Sequence, residues 1–313
     1  MVRYIFMRLI GIFTFLLMLS LFTFVLSRAI PGGPWDVGVE IPRSEEQVAM
    51  FKAKYGLDKP VLQQYLVWLR NALLLDFGTP YMAPELSVTE LIWRQLPYSA
   101  LIGGLAATMA IVLGTILGMV AAARQNTTVD IVINMGAVII GTMPGFVLGF
   151  VFIYFFAAQL KWFPSGGWGD DGFSHLVLPV AAFGLPATGG VARWTRQCMV
   201  EAMSSDYVRT AYAKGVRQTG VMSRHVLRNA LIPMVTRFLP MFPAMMTGSI
   251  FIEHTFGIPG LGQWFVSSSF SRDYPMVLGI TIFWGVLIAV TYFITDVLYG
   301  FIDPRVRLTE RGS

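Results

Sequence analysis

Residues 209–233, RTAYAKGVRQTGVMSRHVLRNALIP, carry Arg209, Lys214, Arg217, Arg224 and Arg228, with His225 beside them and no acidic residue. The chemistry open to such a stretch is electrostatic. It can fix the orientation of a chain in a membrane, or dock against another protein. Covalent and hydrolytic chemistry finds no matching residues. None of the five lysines, Lys52, Lys54, Lys59, Lys161 and Lys214, follows a glycine, so no G-x-x-x-x-G-K-[ST] phosphate loop is present. This chain alone is therefore not expected to hydrolyse ATP. His175, His225 and His254 are widely separated and make no metal-ligand pair at helical spacing. No G-x-S-x-G signature occurs, and Cys198 stands alone, so no intrachain disulfide can form. Catalytic and metal-ligating residues are accordingly not assigned.

The basic stretch has internal order. Asp206 is placed to cap a two-turn helix, YVRTAYAK, where its charge suits the positive end of the helix dipole. Gly215 can end that helix in the left-handed conformation, and Thr219 can start a second helix running through SRHVLRNAL towards Pro233. Tyr207, Val208, Ala211 and Tyr212 would form an apolar patch ringed by Arg209, Lys214 and Arg217. The whole loop, 197–230, is longer than topology requires. It reads as a compact knob shaped for a partner protein, with Asp206, Tyr207, Arg209, Thr210, Ala211, Lys214, Gly215 and Arg217 as its working residues.

The elements that hold this knob are membrane helices. Hydrophobic residues make up 55% of the 313 residues and charged residues 13%, about half the usual charged share. A helix rises about 1.5 Å per residue, so about 20 apolar residues cross a bilayer core. Six stretches meet that length: 8–28, 98–122, 131–158, 174–194, 231–252 and 275–299. The first is read as a retained span, because the LSRAIPGGP that follows offers no small-x-small cleavage site. With the N-terminus inside, the inner segments hold 14 basic residues against 6 acids, and the outer segments 9 against 12. That asymmetry predicts an N-in, C-in chain with the basic loop in the cytoplasm. The net charge of +5 is spread along the chain without a nucleic-acid motif, so nucleic acid is not an expected partner.

Residues 31–97 form the largest outer segment and predict two or three short helices, with capping boxes at Ser44/Gln47 and Ser87/Glu90. Trp35, Trp68 and Trp93 suit an interfacial position. Gly114 with Gly118, and Gly141 with Gly145 and Gly149, are small residues at four-residue spacing, which lets helix backbones approach. Pro144, Gly145, Pro240, Pro243, Gly248 and Glu253 mark bends and ends of spans that either pack or line and gate a pathway. Arg237 and Asp296 lie within spans and are a candidate ion pair near the inner face. Residues 253–275 are rich in Gly, Pro and Ser and read as irregular, serving as a simple loop, an outer gate or a docking surface. An ion-gradient-driven carrier, the alternative class, would need carboxylates within the spans, and only Asp296 comes close.

Arg209-Thr210-Ala211, then Gly215, then the apolar pair and proline at 231–233, resemble the coupling-loop motif of ATP-binding cassette (ABC) importer permeases. The general motif has Glu-Ala-Ala. Here Arg209 and Thr210 replace the first two residues, and the gap after Gly215 is longer. Those departures, with FVLSRAIPGGPWD, YGLDKPVLQQYLVWL, the GIPGLG…RDYP loop and GFIDPRVRL, are similar to the dipeptide/oligopeptide/nickel branch. In the first of these, Gly33 stands where an acid is common. The resemblance covers nearly the whole chain. It implies an all-α integral membrane protein of the type I importer permease fold. The expected segments are an N-terminal helix (1–30), a periplasmic segment (31–97), a permease core (98–302) and a cytoplasmic tail (303–313). It further implies a second homologous permease, two ATPase subunits carrying the ATP and Mg, an external substrate-binding protein, and a place in the bacterial inner membrane. The sequence itself names no substrate.

Overall fold

A computed structural model describes residues 2–29, 32–36, 44–169 and 173–302. The tail 303–313 and the side chains of Thr219, His225 and Asp296 lie outside the described residues. The described elements are helical: α1 Val2–Ala29, α2 Glu45–Lys54, α3 Val61–Ala72, α4 Val88–Ala123, α5 Thr128–Thr142, α6 Gly145–Phe152, α7 Ser174–Met203, α8 Asp206–Ala213, α9 Gln218–Gly220, α10 Leu227–Phe238, α11 Met241–Met246, α12 Ile250–Phe256, α13 Leu261–Phe270 and α14 Tyr274–Ile302. Turns of π-helix extend α6 over Ile153–Gln159 and join α9 to α10 over Val221–Val226.

Four helices are long and apolar enough to cross a bilayer, within Ile5–Ala29, Val88–Ala123, Ser174–Met203 and Tyr274–Ile294. A fifth crossing is possible by length only if the α5–α6 pair counts as one, and that pair is bent by 95°. Pro144 stands at the break, where its missing N–H and ring stop a helix from continuing. The apolar stretch 231–252 is divided among three helices. α10 ends at Phe238, Pro240 precedes α11, and Gly248 at φ +93° separates α11 from α12. Proline cannot extend the ladder, and a residue at positive φ cannot lie inside a right-handed helix. Large apolar side chains are exposed along α1, α4 and α5, among them Phe13, Phe22, Ile116 and Val132. Such faces suit lipid contact and not water.

The chain divides into two compact units. The first comprises Met1–Tyr98 with Pro259–Phe293. Its core joins Phe77, Val88 and Ile92 to Leu261, Met276 and Ile280, with a smaller cluster of Phe24, Tyr65 and Leu278. The Ser44/Gln47 capping box is present on α2, and Gly56 at φ +65° follows that helix. The Ser87 hydroxyl accepts from the Glu90 N–H, but the Glu90 carboxylate turns to Arg94 at 2.7 Å, so only half of the second box forms. The irregular reading of 253–275 is corrected. Its serines 267–269 lie within α13, where Ser269 donates back to the Phe265 carbonyl.

Asp273 is the buried pin of this unit. It stands just before α14 and accepts from the N–H of Met276 at 3.4 Å and of Met82 at 3.1 Å, across 191 residues. Burial pushes its carboxyl above the ordinary carboxylate range, partly opposed by backbone N–H groups of Met82, Met276 and Tyr81. A raised folded value means that this contribution to stability is fully present below the ordinary value of about 4 and is lost as pH rises through the folded value. Asp273→Asn should therefore remove this contribution, making the melting temperature in detergent fall less with rising pH over that window than the wild type's does; an unchanged slope counts against the assignment.

The second unit comprises Ser99–Ile258 with Ile294–Ser313. α7 is its axis. A side chain at Gly114 would strike Val191 and the Thr188 carbonyl, and one at Gly118 would strike Thr195 and the Ala192 carbonyl. Gly189 faces the Ala137 carbonyl of α5, and Gly145 faces the Ala182 carbonyl. The glycine spacing thus serves close backbone packing against α7.

Candidate translocation groove and docking helix

α8 begins after Ser205, whose extended backbone (φ −77°, ψ 149°) makes it the N-cap without a side-chain cap bond. Asp206 is therefore the first helical residue and not the cap, and its carboxylate lies 3.8 Å from the Arg209 guanidinium. Gly215 ends the helix at φ +76°, as the glycine of the sequence predicts. The Gly215 N–H bonds the Tyr212 carbonyl at 2.9 Å, and the Val216 N–H bonds the Ala211 carbonyl at 3.3 Å. These two bonds are the Schellman pattern, which satisfies carbonyls that the helix end leaves open.

The apolar patch expected on this knob is corrected in composition. Val208 (1% exposed) and Ala211 (5%) face inward, in a cluster with Cys198, Met199, Val226 and Phe238. What remains outside is Tyr207 and Tyr212, with Arg209, Thr210, Lys214, Gly215 and Arg217. Ala211 is thus a root of the knob and not part of its face. The second helical segment starts at Gln218, one residue before Thr219. It runs through Pro233 to Phe238 where an end near Pro233 was expected. One absent N–H is a tolerable loss in a helix sheltered by neighbours.

Two cavities open along α7. One, of about 540 Å³, is lined by Arg193, Trp194, Gln197, Arg237 and Phe238; the other, of about 490 Å³, by Pro144, Gly145, Phe183, Pro186 and Met245. They share Ala187 and Met241, so they form one groove with a cationic half and an apolar half. Pro144 and Gly145 belong to this lining. Pro240, Pro243, Gly248 and Glu253 do not. Pro240 precedes α11 and Pro243 lies inside it. Gly248 leaves room for the buried Glu253 and for Ser99, both of which a Cβ there would strike. Arg237 lies over the Trp194 ring, its Cζ 5.0 Å from the centroid. Its proposed partner Asp296 has a side chain outside the described residues.

Sequence reasoning missed the tie between α5 and α7. Asp130, 3% exposed, accepts from Arg196 Nε and Nη2, both at 2.6 Å. It also accepts from the Asn126 N–H at 3.0 Å and from Asn134 Nδ2 at 2.6 Å. Counted as loop charges, the two residues carry no mark of this fork. The available signal was Asp130 four residues before Asn134, on one face of an apolar helix.

Exposed apolar helices, glycine-packed contacts around α7, a groove along it and a basic helix rooted in the groove's wall are the features to set beside known proteins. Residues 114–308 match the family described as binding-protein-dependent transport system inner membrane component, and residues 1–84 match its N-terminal counterpart. The chain is 37% identical over 312 residues, all of both chains, to the dipeptide transport system permease protein DppB of Bacillus subtilis (strain 168). It is 38% identical over 307 residues to the oligopeptide transport system permease protein OppB of Haemophilus influenzae, spanning 98% of this chain and 100% of that one. For OppB of Escherichia coli (strain K12) the figures are 36% over 308 residues, again 98% and 100%. This chain belongs to the family of binding-protein-dependent transport system inner membrane components.

Proposed function

We propose that this chain is the permease subunit of an ABC importer carrying dipeptides, oligopeptides or similar small solutes across the bacterial cytoplasmic membrane. Full-length similarity to relatives named dipeptide and oligopeptide permeases supports that substrate class. In this reading six crossings are made by α1, α4, the bent α5–α6 pair, α7, the interrupted α10–α12 series and α14, with both termini inside. Residues 31–97 then form a periplasmic cap. A second, homologous permease completes the pathway, and an external binding protein delivers the solute. Two ATPase subunits bind the ATP and Mg, and this subunit has no catalytic site of its own. Membrane lipid surrounds the assembly, and nucleic acid has no part in it.

One observation carries the reading. Val208 and Ala211 beneath α8 share a hydrophobic cluster with Val191 and Phe238, and these two residues also line the groove. Movement of the knob therefore bears directly on the groove's wall, because packed cores transmit displacement as rigid bodies. Tyr207 and Tyr212 are the side chains offered to the ATPase. The chain's own thiol, Cys198, is buried, so a thiol introduced at the surface can be addressed separately. Tyr212→Cys in the assembled, reconstituted complex should cross-link to an ATPase subunit. A complex that transports while this position yields no ATPase adduct would overturn the assignment.

A further inference from the structure

Within the first unit, α3 packs against two apolar helices below their ends, and those contacts fix its depth. On α1 the apolar run is bounded by Arg8 and Arg28. At about 1.5 Å per residue that run rises about 30 Å, the whole thickness of a hydrocarbon core. Phe24 therefore lies about 6 Å inside the boundary at Arg28, and Ser20 about 12 Å inside. Both are 2% exposed, and α3 meets both. The Tyr65 hydroxyl is 2.9 Å from Ser20 Oγ. The Phe24 ring lies 5.2 Å from that of Tyr65 and 6.5 Å from that of Trp68. α14 gives a second depth mark. Leu278 completes the cluster of Phe24 and Tyr65 and lies about 8 Å along the chain from Asp273, the acid before that helix. Interfacial helices bury their apolar face about 5–10 Å below the headgroup boundary, the depth that these contacts give.

The free face of α3 agrees. Leu62, Leu66 and Leu73 recur at helical spacing along one edge and are 69, 55 and 67% exposed. Leu74 and Leu75 continue the apolar surface past the helix end, 75 and 70% exposed. Leu75 sits at φ +61°, where glycine is the usual choice. The Asp76 N–H on the Asn71 carbonyl at 3.0 Å and Thr89 Oγ1 on the Leu75 carbonyl at 2.7 Å hold the backbone in that turn. Gln63, Arg70 and Asn71 are exposed beyond the leucine edge, and Asn71 stands opposite Leu62 round the helix. α1 itself exposes Phe22, Val25 and Leu26 at the level of Phe24. Five exposed leucines at that depth meet acyl chains and not water.

We propose that α3 and residues 73–75 are embedded in the bilayer interface, with Leu62, Leu66, Leu73, Leu74 and Leu75 among lipid acyl chains. The inference rests on the reading that α1 and α14 cross the membrane. The segment 31–97 is then a cap only in part, because α3 anchors it in the leaflet at which α1 ends.

The test places single cysteines at Phe22, Leu62, Asn71 and Leu74 in the complete transporter, with no other reactive cysteine present. Each is labelled with a bimane fluorophore in transport-active liposomes of phosphatidylcholine and phosphatidylglycerol. Two quenchers are compared: a phosphatidylcholine with a nitroxide near the top of its acyl chain, and aqueous iodide. Labels at Leu62 and Leu74 should lose fluorescence to the lipid nitroxide as the Phe22 label does, and resist iodide. The Asn71 label should be quenched by iodide. If iodide and not the lipid nitroxide quenches Leu62 and Leu74 while Phe22 shows the reverse, α3 faces water and the proposal is refuted. If neither quencher reaches Leu62 and Leu74, protein covers this face and lipid is refuted as its occupant. Escape of Phe22 as well from the lipid nitroxide would instead refute the crossing by α1, and the proposal with it.

Discussion

Gly215→Val abolishes solute uptake by the reconstituted complex while the complex still assembles: that is the outcome the geometry leads us to expect. Gly215 sits at φ +76°, a region closed to β-branched residues. A Cβ there would meet nothing within 4 Å, so the penalty is one of backbone and not of packing. Forcing valine into it costs about 1–3 kcal/mol, a factor of roughly 5–150 between two states. The chain instead releases the Schellman closure, and α8, only 8 residues long, loses its C-terminal stop. Helices so short have little stability of their own. The knob then presents Tyr207 and Tyr212 in the wrong place, and ATP hydrolysis proceeds without transport. Gly215→Asn is the control, because asparagine tolerates the left-handed region, and it should keep most of the uptake. Wild-type uptake by Gly215→Val would remove α8 from the mechanism.

Arg196→Met should be the most damaging single change to the second unit. It leaves the Asp130 carboxylate buried without its guanidinium partner. Removing one member of a buried pair costs about 3–5 kcal/mol, and the lower end applies because Arg196 is partly exposed. That is a large share of a domain's typical margin of about 5–15 kcal/mol. The melting temperature in detergent should fall sharply and membrane yield with it. Asp130→Leu combined with Arg196→Met removes both charges and should recover most of the loss, since apolar replacements of buried pairs are often tolerated. A double variant as unstable as the single one would show that the pair is not the tie between α5 and α7.

Local chemistry was legible in the sequence where it acts over a few residues. The Ser44/Gln47 box, the left-handed Gly215 and the glycines facing α7 all follow from spacing. What spacing could not supply was tertiary. Pro233 sits inside α10 while Pro240 falls at a break, so one residue type has two outcomes set by its neighbours. The serines of α13 look like a loop, yet Leu261 and Ser268 of that helix are buried. Val208 and Ala211 alternate with exposed residues in a helix too short for its inner face to be assigned from the pattern. The Asp130–Arg196 fork spans 66 residues, a separation that local reading cannot bridge. Of the knob's residues the exposed ones were legible as a set, but their division into root and face needed the packing.

The bend at Pro144 has a mechanical consequence. Two rods meeting at 95° form a bell crank: a thrust along the first arm emerges as a sideways sweep of the second. α5 is gripped at its start by Arg196, and α6 rests at Gly149 against Phe256. With the bend held rigid, displacement of α5 along its axis carries α6 sideways, with no helix needing to stretch.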